Sequence, residues 1–317
     1  AYGFTNPLAI EFGFWGFLIW VFYFLTTCYF CIIEPRAKIF EIPWVKLVNN
    51  IIIIATCAFS GFLFLQYLPD YIVGITPFFR FALVALVVLA AVYSSTDIRY
   101  VKILILSSTW LFFALIAVMW AFGGLGLSGL AANLFHIGDY FVNIHRFVLP
   151  FSDYHAFYLF WWFAWSIMIG QFVARFVSGM KTWQLLIALL VIPSVAIALW
   201  FSTLYYYFSN DIPVTGLLRW AMVVLGVIFV INSLDSLIRL YTDNLGFNIE
   251  RLGLTQYVSG NFLLIGSLVL LYQLTPLKIE WVGLIVIGLY MAIYILIFKN
   301  RTKIRDSFIL AKDSPEI

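Results

Sequence analysis

Residues 157–178 read FYLFWWFAWSIMIGQFVARFVS, a stretch in which Arg175 is the only charged side chain. A membrane-crossing helix needs roughly 20 consecutive, mostly apolar residues, so this stretch alone predicts a span. Eight similar runs lie near 12–33, 48–68, 78–95, 101–122, 183–206, 217–240, 257–275 and 281–298. Of the 317 residues, 64% are hydrophobic and 10% charged, where ordinary soluble domains run about 45–50% and about 25%. One soluble core cannot hide that excess, because a folded sphere of this size must present far more polar surface. Alternating strand patterns are absent, and helices satisfy their own peptide groups in lipid. The chain is therefore predicted to be an all-α polytopic membrane protein with nine transmembrane helices in the lipid bilayer.

The segment from Gly126 to Phe151 differs from these runs. It mixes Leu127, Leu130, Leu134, Phe141 and Phe147 with Asp139, His145 and Arg146, the pattern of an amphipathic helix lying along the membrane surface. The predicted organisation is four spans in 1–122, the surface helix and its connector in 123–154, five spans in 155–298, and a basic tail in 299–317. No soluble domain or low-complexity linker interrupts it.

With nine spans the two ends lie on opposite sides, and the loops can be sorted by charge. One side holds Arg36, Lys38, Lys46, Arg99, Lys102, Arg175, Lys181, Arg239, Arg251 and the tail residues Lys299, Arg301, Lys303, Arg305 and Lys312. The other holds Arg80, Arg146, Arg219 and Lys278. Basic loops stay cytoplasmic, so the N-terminus is expected outside and the C-terminus in the cytoplasm, most simply of a bacterial inner membrane. The net charge of +3 reports topology and gives no reason to expect nucleic acid. The chain begins at Ala1 with no signal-peptide pattern before its first span, and its N-terminal end is expected to be cut, processed or split.

Little in the sequence supports an enzyme. Cys28, Cys31 and Cys57 read as small apolar packing residues, and His136, His145 and His155 are too scattered for a metal site. No Ser/His/Asp set, phosphate loop or helical His-x-x-x-His is present. The aromatic residues, a fifth of the chain, are more suggestive. Trp15, Trp20 and Tyr23 crowd the first span, while Trp161, Trp162 and Trp165 crowd the fifth. A helix turns about 100° per residue, so Trp161 and Trp165 share a face and Trp162 is displaced to its side. Indoles from two helices facing each other would form a box whose π-faces attract a cation unable to donate hydrogen bonds; an aromatic belt at the membrane interface is the plainer reading. In the seventh span Asn232, Ser233, Asp235 and Ser236 place polar groups where they are costly, and Asp235 could pair with Arg239 at i, i+4. In the second span Thr56 and Ser60 put two hydroxyls on one face; such hydroxyls commonly bond back to the helix carbonyls.

These residues resemble the betaine/choline/carnitine transporter family. The stretch Phe157 to Thr182, with Trp161-Trp162-x-x-Trp165, Gly170, Phe172, Ala174-Arg175 and Ser178-Gly179-x-Lys181-Thr182, is similar to the family signature on its eighth helix and following loop. Trp15-Gly16 with Trp20 and Tyr23 resembles the fourth helix, Ala55-Thr56 the fifth, Ile98-Arg99-Tyr100 the turn before the seventh, and Ile137-Gly138-Asp139-Tyr140 the surface helix. Asn232-Ser233-Leu234-Asp235-Ser236 resembles the tenth-helix Thr-Ser-x-Asp-Ser. Glu34-Pro35 is similar to the dipeptide closing the family's third helix. Topology and the Trp/Tyr spacing nevertheless match the first span to the fourth helix, and the nine spans to the last nine of twelve.

The resemblance implies an inverted-repeat (LeuT-like) transporter fold, two five-helix repeats with a solute site near the midplane. It implies an aromatic box from Trp15, Trp20, Tyr23 and Trp162, with Trp161 and Trp165 lining the adjoining path. It places Thr56, Ser60, Met168, Asn232 and Ser233 at ion-site positions, for sodium as the one expected ion besides protons; no other cofactor or metal is expected. Asn232 stands where the family carries Thr, Met168 where it carries Phe, and Ile167 where it carries Pro. The family's first three helices have no match, so either a companion chain supplies them, or the sequence is a fragment, or the fold serves a structural task without transport; the family's trimeric habit implies a homotrimer. The functional expectation is a secondary active transporter, or the larger part of a split one, moving a quaternary-ammonium solute such as betaine, choline or carnitine by alternating access. The competing expectation is a transport-inactive scaffold subunit derived from the same fold.

Overall fold

The computed structural model describes residues 14–147, 153–177 and 179–306. The side chains of Trp15, Asp139, Arg146 and His155, together with Ser178 and the tail beyond residue 306, lie outside the described residues. The main helices are α1 (Phe14–Cys28), α2 (Pro43–Tyr71), α3 (Pro77–Ser94), α4 (Ile98–Gly123), α5 (Leu127–Val142), α6 (Asp153–Ala174), α7 (Thr182–Ser209), α8 (Gly216–Leu245), α9 (Leu254–Leu274) and α10 (Ile279–Lys299). Among the described residues nine helices are long and apolar enough to cross a membrane, the first of them running Leu18–Ala37. At 16 residues α5 is too short and ends in the single turn Ile144–Phe147.

Helix ends differ from the apolar runs for a simple reason. Apolarity marks the bilayer, but a helix continues through any good helix former. Thus α2 starts at Pro43, ahead of Lys46 and Asn49, and α8 runs on through Asp243 to Leu245. Pro43 and Pro77 open α2 and α3, where a missing N–H costs nothing. Asp97 opens α4 by accepting the Arg99 N–H at 2.9 Å. Gly124 and Gly246 close α4 and α8 at φ +68° and +69°, the left-handed conformation that glycine adopts without strain.

Pro35, Pro69 and Pro193 interrupt the helices' own hydrogen bonding, and the breaks at the first two have visible repairs. Pro35 cannot bond the carbonyl of Cys31, and α1 accordingly widens into a π turn over Tyr29–Ile33, with Glu34 N–H bonding Tyr29 O. Pro69, inside α2, leaves the carbonyl of Leu65 without its usual donor. The Arg80 guanidinium from α3 supplies one at 2.6 Å. Arg219 of α8 similarly donates to the carbonyl of Tyr71 at 3.1 Å, at the end of α2. Two of the four basic residues sorted to the outer side are therefore committed to backbone carbonyls of one helix.

The bundle is organised around α2, which packs on α3, α6, α8, α9 and α10, while α8 packs in addition on α3 and α4. The helix α1 lies along α6, which also packs on α10. Ile52, Ile53, Cys57 and Leu65 of α2 are buried with Ile167 and Met168 of α6, Leu234 and Ile238 of α8, Ile265 of α9 and Val286 of α10. Lipid tails are as apolar as these side chains, so close packing between small residues must hold such helices together. A Cβ added to Gly61 would meet Val269 at 2.9 Å, one added to Gly170 would meet Thr26 at 2.6 Å, and one added to Gly283 would meet Phe160 at 2.6 Å.

The i, i+4 pair between Asp235 and Arg239 does not form. Fully buried Asp235 accepts from Ser94 Oγ of α3 at 2.6 Å and from Ser236 Oγ at 3.2 Å. Arg239 instead donates to the Ser95 carbonyl at 3.2 Å and approaches Asp243 at 3.8 Å.

Candidate solute-binding site

Helical spacing puts Phe157, Trp161 and Trp165 on one face of α6 with Tyr158 and Trp162 beside them. With Ser60, Phe64, Tyr67 and Tyr71 of α2 and Phe229, Val230 and Ser233 of α8, these five residues line a cavity of about 620 Å³. Its described lining contains no charged side chain. The Trp161 ring stands edge-on to Phe59 at 5.4 Å and to Phe157 at 5.8 Å. The Trp165 indole nitrogen is buried and has no hydrogen-bond partner, leaving one N–H to give to an acceptor.

Trp20, Tyr23 and Trp162 form a compact triad on the α1 side of α6. Ring centroids lie 5.4 Å apart for Trp20–Tyr23, 6.0 Å for Trp20–Trp162 and 5.9 Å for Tyr23–Trp162, with no pair parallel. Fully buried Tyr23 donates its hydroxyl to the Trp162 carbonyl at 3.0 Å. That bond pins α1 to α6 at the height of the aromatic cluster. Trp162 alone belongs to both groups, since Trp20 and Tyr23 do not line the cavity. Of the residues assigned to a box by resemblance, Trp20, Tyr23 and Trp162 form the triad, while Trp161 and Trp165, assigned to the adjoining path, line the cavity with Trp162.

The residues at the expected ion-site positions lie in several surroundings. Ser60 and Ser233 reach the cavity lining, but their hydroxyls bond back to the carbonyls of Thr56 and Phe229, each at 2.9 Å. Thr56 Oγ1 is buried without a partner. Asn232 turns to α4, where its Nδ2 lies 3.5 Å from Ser108 Oγ, and its Oδ1 is buried and unpartnered. Met168 packs in the core at 1% exposure. Among the described residues no group of three His, Cys, Asp or Glu could hold a metal. Cys28 is half-buried, Cys31 exposed and Cys57 buried, all three free.

Sequence reasoning passed over most of the cavity wall. Ser60, Phe64, Tyr67 and Tyr71 recur at i, i+4, i+7 and i+11, a helical stripe that the uniform hydrophobicity of α2 hides. Phe229 and Ser233 repeat the spacing on α8.

No family model matches the chain. Over 105 residues it is 30% identical to a glycine betaine/proline/choline transporter of Vibrio parahaemolyticus, covering 31% of this chain and 18% of that one. Over 76 residues it is 33% identical to uncharacterized transporters of Mycobacterium bovis and Mycobacterium tuberculosis, covering 21% of this chain and 13% of theirs. Its relatives are transporters. The match spans less than a fifth of any of these relatives' own length. The chain is a polytopic helical membrane protein with transporters among its relatives.

Proposed function

We propose that the chain is a secondary active transporter, or the larger part of one, for a quaternary-ammonium solute, working by alternating access. The observation that carries this is the cavity beside the Trp20/Tyr23/Trp162 triad, walled by three indoles and three tyrosines and free of described charged groups. A methylated ammonium has no N–H to give, so a carboxylate or carbonyl is not needed to hold it. Aromatic faces within about 6 Å attract it electrostatically, most strongly where water is excluded. The coupling ion is sodium or a proton, and the N-terminus lies outside a bacterial inner membrane, as the loop charges argue.

The helix contacts support an inverted repeat. Pairing α1 with α7, α2 with α8, α3 with α9 and α4 with α10 relates α2 packing on α9 to α8 packing on α3, and α2 packing on α10 to α8 packing on α4. Among the nine membrane-length helices only α6 has no counterpart in this pairing. Because α6 packs on α1, α2 and α10, its counterpart would sit against α7, α8 and α4. Those helices, with α2, line a second, apolar cavity of about 640 Å³ that includes Phe112, Trp200, Leu204 and Met222. We assign that cavity to a further membrane helix that completes the first repeat.

The test is equilibrium binding of labelled betaine, choline and carnitine to the natively purified complex, with peptide mapping for a companion chain. Trp162→Ala should weaken binding about 30-fold, equivalent to about 2 kcal/mol for a desolvated cation–π contact. Unchanged affinity for all three solutes would sink the proposal.

A further inference from the structure

The aromatic cavity and a second one of about 760 Å³ are lined by the same three helices, α2, α6 and α8, and share no lining residue. On α2 the aromatic cavity takes Ser60, Phe64, Tyr67 and Tyr71, and the second takes Lys46 and Asn49. Ile53 and Thr56 fall between them. Each step along this series is three or four residues, so all of it lies on one side of the helix. On α6, Met168 stands three residues past Trp165 and seven before Arg175, which line the first and the second cavity. On α8, Leu237 and Leu240 stand in the same way between Ser233 and Asn244. At 1.5 Å per residue the interval is about 9 Å along α6, from Trp165 to Gln171, and about 16 Å along α2 and α8.

The interval is filled by side chains. Ile53, Thr56, Met168, Leu237 and Leu240 are all buried, and the four apolar ones belong to one packed cluster. Two polar groups here are nevertheless unsatisfied. Thr56 Oγ1 has no partner, although a buried helical threonine ordinarily bonds back to its own helix. Asn49 is 2% exposed; its Nδ2 meets Gln171 Oε1 at 3.4 Å, and its Oδ1 has no partner. A permanent core seldom leaves such bonds unmade. Met168 is unbranched with three rotatable bonds, so its side chain can vacate the interval without backbone movement. The two cavities also differ in kind. Glu34, Glu41, Lys46 and Arg175 line the second, and Arg175 is already 3.4 Å from Asp243. Charges of both signs favour water and offer a solute no one-signed place to stop, whereas the charge-free aromatic wall suits retention.

We propose that the two cavities are halves of one permeation path along α2, α6 and α8, closed in this structure by a seal of Ile53, Thr56, Met168, Leu237 and Leu240. The polar half is the vestibule by which the solute passes to or from the side carrying the basic loops. The proposal rests on the transport reading above and adds the route and its closure.

The test is thiol labelling of the full complex in membrane vesicles of both orientations, with Cys28, Cys31 and Cys57 replaced by alanine. The probe is a trimethylammonium methanethiosulfonate, which does not cross the bilayer. Ser60→Cys should be labelled from one side only and Asn49→Cys from the other only. Thr56→Cys should react about tenfold more slowly than either, because a minor open state is about 0.1–10% populated. Adding Met168→Ala should let reagent from the Ser60 side reach Asn49→Cys about tenfold faster as the open population rises. Ile53→Ala should do the same, and Met168→Leu, which keeps the volume, should not. Labelling of Ser60→Cys and Asn49→Cys from the same side, or no faster crossing in either alanine variant, would overturn the path. Choline binding in the same vesicles separates the two readings. Expected labelling without Trp162-dependent choline binding would support the path and overturn the solute, whereas such binding with failed crossing would overturn the path alone.

Discussion

Arg80→Ala is the most informative single change, because its cost can be worked from one bond and reversed by one other substitution. Pro69 cannot donate to the carbonyl of Leu65, and Arg80 Nε does so at 2.6 Å. Leu65 is 0% exposed, so no water replaces a lost donor, and in lipid a bare carbonyl is costly. A hydrogen bond to a charged donor contributes about 1.5–3 kcal/mol, and Arg80→Ala should destabilise the protein by that amount. In Pro69→Ala the restored N–H can reach Leu65 O in the ordinary helical way, so the double variant should recover most of the loss. The coupling in a double-mutant cycle should exceed about 1 kcal/mol, the range for residues sharing one partner. The assay is denaturation of the purified protein in mixed micelles, followed by tryptophan fluorescence. Tyr67 and Tyr71, which flank Pro69, line the aromatic cavity, so solute binding should fall and recover in step. Additive single-variant effects would refute the repair of Leu65 by Arg80.

Other expectations follow from specific contacts. Gly170→Ala brings a Cβ to 2.6 Å from Thr26, where ordinary contact begins at 3.4 Å; it should cost about 1–3 kcal/mol as overpacking and loosen the 3.0 Å bond from Tyr23 to Trp162, with Thr26→Ala relieving both in thermal-shift and binding assays. Ser94→Ala removes the 2.6 Å donor to buried Asp235 and should destabilise by about 2 kcal/mol, measured in the same denaturation assay. The Asp97 carboxyl is held below the usual range, chiefly by the backbone N–H of Arg99 and also by its guanidinium. Its stabilising effect on the start of α4 is therefore present above the unfolded-state value and lost as pH falls through the lower folded one. Thermal shift scanned downward from pH 7 should show this loss, and Asp97→Ala should abolish that component.

Nine helices long and apolar enough to cross a membrane, with a shorter one between the fourth and fifth, were legible in the sequence because membrane insertion is a local matter. Each residue's transfer into lipid depends on its own side chain, and about 20 such residues in a row suffice. The crowding of Trp161, Trp162 and Trp165 on α6 was equally visible, since helical spacing alone puts them on adjoining faces. That one ring is shared between two groups was not. That Trp162 belongs both to a triad with Trp20 and Tyr23 and to the 620 Å³ cavity depends on how far α6 is rotated against α1 and α2. Close contacts of α6, Gly170 with Thr26 of α1 and Phe160 with Gly283 of α10, constrain that rotation to tenths of an ångström. Asp235 likewise had a plausible neighbour four residues on, yet its partner is Ser94, 141 residues away, because α3 brings a hydroxyl closer than Arg239 can turn. Composition and period determined which segments enter the membrane and which faces are aromatic. Only the packing of helix against helix decided which of those faces meet, because register and rotation are properties of pairs and no single helix carries them.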